Sequence, residues 1–290
     1  MNWLPITLLC AFSLATSDAL AKRALDRHNE YVIVWLRLVL AAPLLLATLC
    51  FIPMPRPAPE FYRAFLLALP LEAVASLLYI RALKLSPMSL TLPFLALTPV
   101  FLLVVPFLLL GERISPAGAG GVLLIATGTY VLNLGAAKKG LLEPLRAVLR
   151  EKGVLYMVGV ALIFSVTSTL GKQAVAASSP VFFAALYFPA LALVLTPVAL
   201  RQGRAEVRGM LRSGVLKAAL WPALFYAVMV LAHMTAISMT QVAYMISVKR
   251  LSLLLGVLYG HFLFGEEGAG RRVPGTVLML GGVALITLSP

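Results

Sequence analysis

LLLGERISPAGAGGVLLIATG, residues 108–128, and FLFGEEGAGRRVPGTVLMLGG, residues 262–282, are one passage written twice. A shift of 154 lays Gly111 and Glu112 on Gly265 and Glu266, Gly121 on Gly275 and Gly128 on Gly282. The register continues upstream, where Ala82 falls on Ala236. A shift of 150 then lays SDALAKRAL (17–25) on TSTLGKQAV (167–175), so that Lys22 meets Lys172. The difference of four residues fits an extension in the basic loop after residue 200. The chain is a duplication, and its copies can be compared position by position.

Composition sets the solvent in which the copies fold. The chain is 61% hydrophobic and 12% charged, and apolar stretches long enough to cross a bilayer recur along it. Length, charge and Pro/Gly breaks give ten spans: 3–21, 31–52, 62–81, 87–110, 116–135, 153–172, 180–200, 215–237, 241–264 and 272–288. The expected fold is an all-α membrane protein of ten transmembrane helices. Five spans per copy is an odd number, so the two repeats take opposite orientations in the membrane, a plan common in secondary transporters. The division is 1–139 for the first five-helix repeat, 140–152 for a linker and 153–290 for the second repeat. The first span follows only Met-Asn, without a basic n-region or cleavage site, and is expected to be retained. Cys10 and Cys50 both fall within spans, which leaves no role for disulfides.

The formal charge of +13 follows the loops rather than one patch, which argues against a nucleic-acid partner. Numbering each loop by the span it follows, odd loops hold seventeen Lys and Arg and even loops with their edges hold four. Positive loops mark the cytoplasmic side, so the expectation is a multi-pass protein of a bacterial or archaeal plasma (inner) membrane with both termini external. In GLLEPLRAVLREKG (140–153) Leu141, Leu142, Leu145, Val148 and Leu149 recur at helical spacing. The linker is therefore expected to lie as an amphipathic helix on the cytoplasmic surface, against membrane lipids.

A chain of two five-helix repeats, each closing its fourth helix with Gly-Glu (LLLGERIS, FLFGEEGA) before a Gly-rich fifth, resembles the EamA-type branch of the drug/metabolite transporter superfamily. The resemblance covers essentially the whole chain. It implies transport of metabolites such as amino acids, or, among relatives, of nucleotide sugars and sugar phosphates. The second copy departs from the first where Glu267 replaces the basic residue after Glu112.

Duplication separates architecture from function, because a costly residue present in one copy alone is not demanded by the shared fold. Gly111/Glu112 and Gly265/Glu266 occur in both. Each Glu is expected to accept hydrogen bonds from amides opening the next helix, where the dipole also favours an anion, with gating or proton carriage as the alternative. Gly256 and Gly260 form a GxxxG that serves either a contact within the protomer or a homodimer seam. Prolines within spans, among them Pro43, Pro70, Pro189 and Pro222, are expected to kink helices around a cavity.

The polar residues found in one copy carry the functional expectation. Asp18 faces Ser168, Arg37 faces Tyr187, Glu72 faces Tyr226, Tyr79 faces His233, and Lys249 and Arg250 face Leu95 and Ala96. A charge at mid-span costs about 2.5 to 3.5 kcal/mol on insertion, so two adjacent cations in YMISVKRLSLLLG (244–256) require a use. Salt bridges are one: Asp18 with Arg37, and Glu72 with Lys249 or Arg250. Three cations against two carboxylates still leave one positive charge, which suits a carboxylate or phosphate on a substrate. Tyr79, Tyr187, Tyr226, Tyr244, Ser247 and Ser252 lie at similar depths and are candidates to complete the lining. His233 is a candidate proton carrier beside Asp18 and Glu72.

No HExxH, GxSxG, Walker loop or Cys/His cluster occurs, so the sequence offers no machinery for an enzyme, an ATP-driven pump or a bound cofactor. Three functions remain open. The first is a secondary transporter of a small organic anion or zwitterion, working by alternating access as an exporter. The second is a flippase for a lipid-linked anion such as a polyprenyl-phosphate sugar, and the third a non-transporting membrane assembly partner. The protomer is expected to act alone or as a homodimer.

Overall fold

The computed structural model describes residues 3–25, 27–86, 91–134, 151–211, 214–264 and 272–288. The linker through residue 150 and the second Gly-Glu pair lie outside these. Among the described residues the regular structure is helical throughout. In chain order the long elements are α1 Trp3–Leu25, α2 Glu30–Phe51, α3 Pro59–Leu85, α4 Leu92–Leu110, α5 Pro116–Leu134, α6 Lys152–Ala176, α7 Pro180–Gln202, α8 Val215–Met239, α9 Val242–Leu263 and α10 Val273–Leu288. Eight are long and apolar enough to cross a membrane; α5 and α10 are shorter apolar helices.

Several helices outrun the apolar stretches that announce them. Lys22 and Arg23 form the last turn of α1 and Lys84 that of α3, where a cation complements the C-terminal dipole. Pro43, Pro70, Pro189, Pro197 and Pro222 lie inside helices, while Pro93, Pro99 and Pro106 all fall in α4.

Packing follows membrane rather than aqueous rules. Buried contacts are rich in alanine and hydroxyls, including Ser13, Ser17, Thr129, Ser165 and Thr169, whereas Leu66, Leu108, Leu193, Trp221 and Phe262 face outward. The most extensive contacts cross between the repeats: α1 with α8, α3 with α6, and α5 with α10. Exchanging the repeats turns the first of these pairs into the second and the third into itself, the signature of a two-fold relation. It is tightest where α5 meets α10. A methyl on Gly121 would lie 2.7 Å from the Gly282 carbonyl oxygen, and one on Gly128 would lie 2.7 Å from that of Gly275. Gly121 and Gly275 are repeat mates, as are Gly128 and Gly282, so each glycine packs on the mate of the other.

Gly128→Val therefore forces two backbones apart. Thermal unfolding in detergent should show a loss of about 3 kcal/mol, the upper end for overpacking. Gly256→Val should unfold with the unmodified protein, because nothing lies within 4 Å of a methyl there. Gly256 is exposed, so within the protomer that end of the GxxxG makes no close contact.

Polar ties sort the connections onto two faces. On one, Lys84 pairs with Glu30 at 2.6 Å, His28 pairs with Glu206, and Ser86 donates to Glu151 at 2.8 Å. These join the odd-numbered connections. On the other, Ala58 N–H donates to the Ala177 carbonyl at 3.0 Å and Glu112 pairs with Lys172, joining the even ones. We call them the odd face and the even face.

Candidate functional site

The run from Val242 to Phe264 reads as one uninterrupted helix, but α9 breaks in the middle. Helix Val242–Lys249 ends in a tightened turn through Arg250 and Leu251, and helix Ser252–Phe264 resumes beyond it. In the other repeat α4 begins as a 3₁₀ turn, Leu92–Ala96, gives way to helix Leu97–Phe101, and after a further turn continues as Val105–Leu110. The junction after Ala96 is the mate of the junction after Arg250. Paired breaks of this kind free backbone carbonyls inside the membrane, where something must satisfy them.

Arg250 does so across the repeats. Its Nη2 donates to the Leu95 carbonyl oxygen at 3.2 Å, and its Nε is buried without a hydrogen-bond partner. Lys249 turns elsewhere, placing its ammonium 2.8 Å from Nδ1 of His233. An ammonium only donates, so Nδ1 is the accepting nitrogen and the ring proton resides on Nε2.

These groups border a central cavity of about 260 Å³. Of the residues singled out by sequence, Glu72, Tyr187, Tyr226, His233, Lys249, Arg250 and Ser252 line it. Glu72 lies beside Thr167 and within electrostatic reach of Lys249. The rest of the wall is largely apolar and aromatic, with Phe164, Phe183, Phe188 and Met229, and carries the hydroxyls of Thr167 and Ser168. Phe183 stacks on Tyr187 at 4.8 Å between centroids, and Phe188 meets Tyr226 edge-on at 6.0 Å. Thr98 also lines the cavity, with its hydroxyl buried and unpartnered, as is that of Tyr187. Sequence comparison missed Thr98 because its mate is Ser252. A hydroxyl kept just after both breaks looks architectural by the one-copy test, and the signal that finds it is the shared break.

Five of the sequence candidates lie elsewhere, one of them Ser247, whose hydroxyl is buried without a hydrogen-bond partner outside the cavity. Asp18 and Arg37 pair at 2.7 Å outside the cavity, and the Arg37 guanidinium sits 4.5 Å from the centre of the Tyr226 ring, whose side chain lines the cavity. Tyr79 packs beside Phe94 and Val154. Tyr244 runs against the start of α5, where its hydroxyl is 3.4 Å from that of Ser115. Glu112 accepts from the Val242 amide at 3.0 Å and pairs with Lys172, which donates to the Thr240 carbonyl at 2.6 Å. The amide it caps opens α9, in the other repeat, and not α5, the next helix along the chain.

The cavity extends from the centre toward the even face. Gly171, Met234, Ile237 and Ile246, all in the halves of their helices nearest that face, line it. Near its centre lies the Tyr226 ring. Beyond it stand the Asp18–Arg37 pair, the Lys84–Glu30 pair and the His28–Glu206 tie, to which the Asn29 amide adds a bond to Glu206 at 2.9 Å.

Comparison with known proteins agrees with this build. A solved crystal structure superposes with a TM-score of 0.73 at 20% identity, over 99% of this chain and 96% of that one, a likeness of fold alone. Uncharacterized protein PA1977 of Pseudomonas aeruginosa is 35% identical over 182 residues, which are 62% of this chain and 58% of that protein. The matched region thus spans little more than half of that relative's length. The model of the EamA-like transporter family matches residues 1–134 and again 151–288, one match to each repeat, and the chain belongs to that family.

Proposed function

We propose that this protein is a secondary transporter of a small organic anion or zwitterion, with ten crossings in two inverted repeats and its substrate held in the central cavity. The observation that carries the reading is the set of donors left over there. Arg250 Nε, Thr98 Oγ1 and Tyr187 Oη are buried without partners around one cavity, and Lys249 adds its ammonium. Buried donors without acceptors are costly, and an oxyanion supplies the acceptors. Glu72 in the same lining gives a place for an ammonium or hydroxyl of the same molecule. The size fits a small metabolite better than a lipid-linked sugar, since about 260 Å³ is below the usual range for drug-sized ligands. By loop charge the odd face is cytoplasmic and both termini external, so the cavity described here reaches outward.

Three probes that share one ring test the charge preference: benzoate, benzylamine and phenylglycine, which carry the anion, the cation and both. Counterflow in proteoliposomes should show exchange of benzoate and phenylglycine at least tenfold above benzylamine. Exchange of benzylamine alone would reverse the assigned polarity of the site.

A further inference from the structure

We propose that Asp18, Arg37 and Tyr79 form a second substrate station, set apart from the central cavity here and joined to a vestibule open toward the odd face in the opposite conformation, where the ion pair receives both charges of a zwitterion. The inference rests on the transporter reading above and names the substrate's path and charge type. It follows from the lining compared repeat by repeat.

Three pairs of repeat mates border the cavity together: Leu14 with Phe164, Glu72 with Tyr226, and Thr98 with Ser252. They mark the centre, which both conformations share. The rest of the lining comes from the second repeat, in the halves of α6, α7, α8 and α9 nearest the even face. Its polar members are Thr167, Lys249 and Arg250, whose mates are Ser17, Leu95 and Ala96, and Ser168, Tyr187 and His233, whose mates are Asp18, Arg37 and Tyr79. The charged and aromatic mates among these six are Asp18, Arg37 and Tyr79. Those mates lie in the halves of α1, α2 and α3 nearest the odd face. When inverted repeats exchange conformations, each takes up the arrangement its mate has left. The side chains that now line the even-face vestibule are then replaced by their mates in an odd-face vestibule.

The groups are built for more than a structural pair. Asp18 makes one bond, to Arg37 Nη1, and its side chain is 57% exposed. Arg37 has Nε buried and unpartnered, so its guanidinium keeps a donor in reserve. The Tyr226 ring touches both Arg37 and the cavity. A rotation of that ring joins the two spaces, and a carboxylate leaving Arg250 meets Arg37 next while an ammonium meets Asp18.

Cysteine labelling reads the path without any ligand. In a background lacking Cys10 and Cys50, Leu38→Cys and Leu83→Cys are mates of Phe188→Cys and Ile237→Cys. Leu38 is 4% exposed here. A membrane-impermeant maleimide applied to sealed vesicles of known orientation should modify positions 38 and 83 from the odd face only, and 188 and 237 from the even face only. Failure of positions 38 and 83 to react from the odd face would overturn the second station, whatever the probes do. Charge type is read by Asp18→Asn, which should lower phenylglycine exchange at least tenfold while benzoate exchange changes less than threefold. An equal loss for both probes would reduce the pair to a structural bridge. The exchanged pair, Asp18→Arg with Arg37→Asp, would then restore transport, whereas a station with fixed polarity stays inactive. Absence of exchange for every probe in the unmodified protein would remove the transport reading, and the labelling pattern would still decide the path.

Discussion

Glu112→Ala should be the most destabilising single substitution outside the glycine seam. Glu112 and Lys172 are largely buried, with side chains 12% and 20% exposed, and the carboxylate also caps the amide that opens α9. Truncating one partner of a buried pair costs about 3 to 5 kcal/mol, because the other charge stays behind. Lys172 would keep only its bond to the Thr240 carbonyl. The double variant Glu112→Leu, Lys172→Met removes both charges and should recover most of that loss, leaving about 1 kcal/mol for the uncapped Val242 amide. Unfolding transitions of the purified variants measure both. A Glu112→Ala protein that unfolds with the unmodified one would show that the bridge holds nothing.

Lys249→Leu should separate binding from folding. Removing a mid-membrane ammonium relieves about 2.5 to 3.5 kcal/mol of insertion cost, and leaving His233 Nδ1 without its donor costs about 1 to 3 kcal/mol. The two nearly cancel, so stability should stay within about 1 kcal/mol. Benzoate affinity should fall about 100-fold, or about 2.7 kcal/mol, the order lost when a buried charge contact is truncated. Arg250→Ala behaves differently, because it also strips the Leu95 carbonyl of its cross-repeat donor. Both affinity and thermal stability should drop, and titration beside unfolding on the same samples tells the two cations apart. Unchanged affinity in Lys249→Leu would remove that ammonium from the site.

The fold was readable because membrane helices announce themselves by length, and because the paired Gly-Glu and Gly-rich passages hold one register. Gly121 and Gly128 even foretell the seam, since a close approach of two backbones admits no side chain there. Arg37 and Asp18 could be paired by counting charges. Pro93, Pro99 and Pro106 announce the interruptions of α4, but the break in α9 could not be read, because Lys249 and Arg250 are good helix formers and the run around them stays apolar. Tertiary contact decides there: the Leu95 carbonyl finds its donor on another helix, which no local propensity encodes. Glu112 was read as a local cap for the same reason, since sequence proximity is all a motif can offer. Tyr79 and Tyr244 share a depth with the cavity without facing it, and depth alone does not fix rotation about the helix axis.

A protein made of two identical inverted copies would have two mirror conformations of equal free energy and would spend half its time in each. This chain has broken that degeneracy at its rim. On the odd face His28 pairs with Glu206 and Lys84 with Glu30, whereas the corresponding tie between the α2–α3 and α6–α7 connections is a backbone hydrogen bond from Ala58 to Ala177, and the charge pair of the even face, Glu112 with Lys172, lies between other connections. Ties that differ between the rims bias a two-state equilibrium even where an exposed pair contributes only about 0 to 1 kcal/mol. In the transport reading proposed above, the difference between the rims sets the resting population at the membrane surface, far from the substrate. Whatever the cavity carries must return that difference by binding the less populated state more tightly.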